Sequence, residues 1–167
     1  MKNINRRSTV FLQAVVVLIG ILALAIMIRF PMTEGRAKNL DLLSIYLDPF
    51  ILYAYAASTA FFVALYKVFR LLGFIGQNKA FSQNSVQALK SIKYCAIILG
   101  ALIMLAGLFV VIFHHKDDDP AGFIAICIAT TFITIVVAIT ASVLEAIFQN
   151  GLNIQPDNEQ LHALSGK

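Results

Sequence analysis

Charge is scarce in this chain. Only 13% of its 167 residues are charged and 59% are hydrophobic, against about 25% and about 45–50% in an average soluble domain. That deficit, with a mean hydropathy of +0.82, excludes an ordinary water-soluble domain and makes lipid the expected solvent. Cysteine is scarce too. Cys95 and Cys127 lie inside apolar stretches with no CxxC pattern, so neither a disulfide framework nor a cysteine metal site is expected. GxSxG, HExxH and a glycine-rich phosphate loop are all missing. No enzyme activity and no cofactor are therefore expected. The first three apolar stretches carry no central proline, which argues against a transporter built on broken helices.

What remains is four apolar stretches, each long enough to cross a bilayer. A helix rises about 1.5 Å per residue and the hydrocarbon core is about 30 Å thick, so a span takes roughly 20 residues. The expected spans are 10–29, 49–69, 92–113 and 122–148, followed by a tail, 149–167. The chain is read as one all-α membrane domain, residues 1–167: a polytopic four-helix bundle with a short cytoplasmic interfacial helix between spans 2 and 3. The first span has a basic front, but its apolar run exceeds the roughly 7–15 residues of a signal peptide. It is expected to stay as an anchor.

Orientation follows from the lysines and arginines. Lys2, Arg6, Arg7, Lys67, Arg70, Lys79, Lys90, Lys93 and Lys167 fall on one side, and Arg29, Arg36, Lys38 and Lys116 on the other. The richer side is cytoplasmic by this rule. The chain is thus expected in the bacterial cytoplasmic (inner) membrane, multi-pass, with both termini and the middle loop cytoplasmic. The net charge of +4 then points to anionic membrane lipids and not to direct nucleic-acid contact. Tyr46, Tyr53 and Tyr55 are expected at one interface, and Tyr66 and Tyr94 at the other.

Small residues at helical spacing mark contact faces in lipid. Ala56, Ala60 and Ala64 are four apart in the second span, Ala96 and Gly100 in the third, and Thr130, Thr134, Ala138, Ser142 and Ala146 in the fourth. Serine and threonine hydroxyls can bond the preceding turn's carbonyls, so these stripes do not require a wet pore. Glu145, near the cytoplasmic end of the fourth span, is the only acid at depth. It is expected to be solvated or paired with a basic residue of the middle loop. His114-His115-Lys116-Asp117-Asp118-Asp119-Pro120 matches no EF-hand spacing. It reads as a tight turn capping the fourth helix, with no metal assigned.

The middle loop is the most patterned polar region. Gly73 and Gly76 are expected to end the second helix, and Ser82 to cap the next. Val86, Leu89 and Lys93 share a face, with Lys90 displaced from it. In the tail, Asn150-Gly151 reads as a helix stop, and Pro156-Asp157-Asn158-Glu159 as a turn or new helix start.

Phe81-Ser82, Val86, Leu89, Lys90 and Ile92 resemble the "FSxxNVxxLRRI" pattern of a family of small bacterial four-span proteins, domain of unknown function 2975. Ile147-Phe148-Gln149-Asn150-Gly151, Ile154 and Asp157-Asn158-Glu159 resemble that family's exit from the fourth span. Ser85 and Ser91 depart from it, and Glu145 stands one position early. The resemblance implies the four-span fold and no reaction. Genes of that family often lie beside a small helix-turn-helix regulator, which implies a cytoplasmic protein partner of that kind. The expected function is a regulatory or accessory membrane component acting through cytoplasmic contacts; the alternative is an oligomeric transporter or channel subunit. The candidate interaction residues are Phe81, Ser82, Val86, Leu89, Lys90, Ile92, Phe148, Gly151, Asp157, Asn158 and Glu159. A homo-oligomer is a further expected association.

Overall fold

The structure is a computed structural model that describes residues 6–33, 49–77, 79–113 and 121–165, with side chains over 8–29, 49–77, 79–113 and 121–154. The acidic turn at 114–120 and Tyr46 lie outside the described residues. Among the described residues there are four helices: α1 (Arg6–Thr33), α2 (Pro49–Gly76), α3 (Gln83–Phe113) and α4 (Ala121–Ser165). Each holds a stretch long and apolar enough to cross a membrane. Helix is the form that satisfies every backbone N–H and C=O inside one segment, which a span needs in lipid. Isoleucine, leucine, valine and phenylalanine side chains cover the outside of all four. This is a four-span, all-α membrane bundle.

α1 packs on α2, α2 on α3, and α3 most extensively on α4. Thr9 of α1 meets Gly76, and Phe81 meets Phe148. The start of α1, the α2–α3 turn and the later part of α4 therefore share one end of the bundle. The best-buried cluster is there as well: Leu71, Ala88, Leu89, Ile92 and Ala141, with Val68, Ile75 and Phe148 against it.

Three expectations change. The segment expected as a short interfacial helix is the first turns of α3, continuous with the third span. Its pattern of buried residues runs unbroken into the membrane part, so nothing interrupts the backbone ladder. The tail expected to stop at Gly151 and restart at Pro156 instead continues α4 as a helix to Ser165. Gly73 lies inside α2 and only Gly76 ends it. There the backbone N–H of Lys79 donates to the Phe74 carbonyl at 2.9 Å, the six-to-one bond that closes a helix C-terminus.

The α4 contact face also differs from the four-residue stripe. Cys127, Thr134 and Ala141 are buried, seven apart, while Ser142 and Ala146 are exposed. A helix turns about 100° per residue, so a strict four-residue stripe drifts about 40° per step and leaves the contact face within a few turns. Alternating steps of three and four stay on it. In α3 the expected Ala96 and Gly100 are buried, together with Gly107. A Cβ on Gly100 would lie 2.7 Å from Thr134 Oγ1, so α3 and α4 touch there backbone to side chain.

The hydroxyls behave as expected. Ser58, Thr59, Ser91, Thr130 and Thr140 each donate to the carbonyl four residues earlier. Two tyrosines expected in an interfacial belt instead tie helices together. Tyr53 donates to the Leu102 carbonyl at 2.6 Å, and Tyr55 to that of Met27 at 3.4 Å. Their rings already sit between helices, where a neighbouring carbonyl is nearer than water. Tyr66 and Tyr94 are exposed, as a belt requires.

Candidate contact site at the α2–α3 end

Ser82 caps α3. The Ser85 amide donates to Ser82 Oγ at 3.3 Å, satisfying one of the orphan donors of the first turn. Ser85, fully buried, donates its hydroxyl to the Lys79 carbonyl at 3.1 Å and lies 3.0 Å from Ser82 Oγ. Two serines thus pin the short connection to the helix it feeds. That fixes where Phe81 points.

Phe81 reaches across to α4. Its ring stands 5.4 Å from that of Phe148, tilted by 57°, a favourable aromatic geometry. The same ring lies over Gly151, where a Cβ would collide with it. Gly151 is therefore the floor of a ring contact inside a helix, and its backbone carries no positive φ. One turn inward, Lys93 Nζ meets Glu145 Oε2 at 2.5 Å, with both side chains about one-fifth exposed. The ammonium also lies 5.6 Å from the Tyr94 ring centroid. Glu145 is thus paired with a basic residue of the middle segment.

The remaining candidates divide by burial. Val86, Leu89 and Ile92 are buried, with Leu89 only 2% exposed. They hold α3 in the bundle and present no surface to a partner in this state. Gln83, Asn84, Gln87 and Lys90 form the exposed polar edge of the same helix. Asp157, Asn158 and Glu159 lie on the projecting part of α4, where only the helical backbone is described.

This clustering of Phe81, Ser82, Leu89, Phe148 and Gly151 unites the two sequence stretches that resemble one family. The family model for "Protein of unknown function (DUF2975)" matches residues 12–160. The chain belongs to that family. It is also 37% identical over 157 residues to "Uncharacterized membrane protein YoaS" of Bacillus subtilis (strain 168), covering 93% of this chain and 98% of that one. No solved structure matches. Within this family member, the two motifs meet in space and clasp α3 to α4. Lys93 was not among the candidate residues, although its i, i+7 spacing from Val86 put it on the packed face. Gln83 and Gln87 were missed as well. Their only signal was polarity on the face opposite Leu89.

Proposed function

We propose that this membrane protein is a regulatory or accessory component that works through protein contacts at the α2–α3 end, and that this end is cytoplasmic. The observation that carries the reading is the length of α4. From Glu145 to Ser165 the helix runs 20 residues past the interfacial ion pair, about 30 Å of rise. Gly151, early in that run, lies under Phe81, and Phe81 directly precedes the cap of the helix that carries the exposed Gln83, Gln87 and Lys90. A polar helical projection and a polar edge at one end offer a cytoplasmic protein two surfaces at once. A small helix-turn-helix regulator is the favoured kind of partner. Cytoplasmic placement rests on the excess of lysine and arginine at this end.

The transporter reading is weaker. A cavity of about 460 Å³ lies between all four helices, but its lining is almost wholly apolar, including Ile26, Ala57, Phe61, Ile103 and Phe123. Ser58 and Thr130, its hydroxyl groups apart from Tyr53, are bonded to their own helices. Little there would replace the hydration of an ion.

The test is site-specific photo-crosslinking in native membranes from Gln87 and Lys90, compared between the full chain and one ending at Ile154. The shorter chain keeps Phe148 and Gly151. A stoichiometric cytoplasmic protein, captured by the full chain and lost on truncation, is the expected result. Capture that ignores the truncation, or capture of copies of this chain alone, refutes the proposal.

A further inference from the structure

A second feature of the same end is a recess between α2 and α3. Lys67, Arg70, Phe74, Asn84, Gln87 and Ala88 line it, and its volume is about 60 Å³. That is room for a tetrahedral oxyanion or a few waters. Lys67, Arg70 and Phe74 recur at three- and four-residue steps on one face of α2, and the Arg70 guanidinium lies 5.4 Å from the Phe74 ring centroid, within cation–π range. The ring holds one cation at the rim, and two side-chain amides on α3 face it as further donors.

Among the described side chains no acid balances these cations. Glu145 is the single acidic residue whose side chain is described, and it is paired with Lys93. Two like charges three residues apart repel, so an anion from outside would improve this site. Its depth says which anion. Lys67 lies 18 residues after the start of α2 at Pro49, about 27 Å along the helix. That is close to the roughly 30 Å of hydrocarbon, so the recess sits at the height of the phosphates of one leaflet. Basic recesses between spans at that height suit anionic headgroups.

We propose that this recess binds the phosphate of an anionic phospholipid, with Lys67 and Arg70 neutralising it and Asn84 and Gln87 donating hydrogen bonds. This site shares Gln87 with the edge of the partner surface proposed above, but its lipid readout is separate from the crosslinking readout of that surface. Neither depends on the other.

Native mass spectrometry of the purified full-length chain tests it, with phosphatidylglycerol, phosphatidylcholine and inorganic phosphate as probes. Wild type is expected to retain one phosphatidylglycerol in preference to phosphatidylcholine. K67Q/R70Q is expected to bind it roughly thirtyfold more weakly, the worth of two charges near a headgroup. Asn84→Asp is the second variant. It sets a negative charge in the recess, while an acid in the first turn of α3 favours the helix, so it stays folded and loses the lipid. Equal retention of both lipids, or unchanged phosphatidylglycerol affinity in Asn84→Asp, overturns the proposal. Displacement of the lipid by millimolar inorganic phosphate also overturns it, because the site would then take a soluble anion.

Discussion

Replacing Gly151 by alanine sets two known effects against each other. In an ordinary helix interior, glycine to alanine gains up to about 1 kcal/mol, because alanine loses less backbone entropy. Here the added Cβ would run into the Phe81 ring. Overfilling a packed contact costs about 1–3 kcal/mol. Phe81 is 40% exposed, so its ring can swing outward, which forfeits the pairing with Phe148, worth about 0.5–1.5 kcal/mol. Set against the gain, that leaves Gly151→Ala near neutral, within about 0.5 kcal/mol. In a Phe81→Ala background the obstacle is gone, and the same substitution should stabilise by up to about 1 kcal/mol. The difference between the two backgrounds, the coupling energy, is about 1 kcal/mol. Thermal unfolding in one detergent, followed by helical circular dichroism for the four proteins of the cycle, measures it. If Gly151→Ala stabilises both backgrounds equally, Phe81 does not rest on Gly151. If it destabilises both equally, the glycine serves as a helix terminator and α4 does not run through it.

Two further substitutions probe the α3–α4 seam. Lys93→Met strands Glu145 about one-fifth exposed and should cost about 1–3 kcal/mol, whereas exchanging the two residues (Lys93→Glu with Glu145→Lys) should recover most of that in the same unfolding assay. Thr131 Oγ1 is buried without a hydrogen-bond partner among the described residues, so Thr131→Val should be neutral or stabilise by up to about 1 kcal/mol; a loss above 1 kcal/mol would show that the hydroxyl is satisfied.

The four spans were legible in the sequence because lipid demands about 20 apolar residues per crossing. Ser82 was legible as a cap because its chemistry is local. The pairing of Glu145 was legible in kind, since an acid near the headgroups of a basic loop has few other partners. The packed face of α4 was not. In a soluble helix, polarity marks the outside, but here Ile133 and Ile139 face lipid while Cys127 and Ala141 face protein, and hydropathy does not separate them. Size and register alone carry the signal, and the four-residue stripe met the packed face at Thr134 but ran off it at Ser142 and Ala146. Gly151 misled for a related reason. A glycine that ends a helix and one that admits an aromatic ring look alike until Phe81, 70 residues earlier, is placed beside it.

The sequence of packing has a consequence for biosynthesis. Among the four described helices α1 comes earliest in chain order, yet it touches mainly α2, and the most extensive contact, between α3 and α4, joins the two that come latest. Until Ala141 and Phe148 emerge, Leu89 and Ile92 have no partner on that side. Before α4 is made, the nascent spans are held by the α1–α2 and α2–α3 contacts alone, each span stable by itself because lipid solvates it, and the tightest seam closes only when α4 follows. A chain cut short before α4 would therefore carry three spans with the Leu89 and Ile92 face of α3 left uncovered on the side that α4 fills.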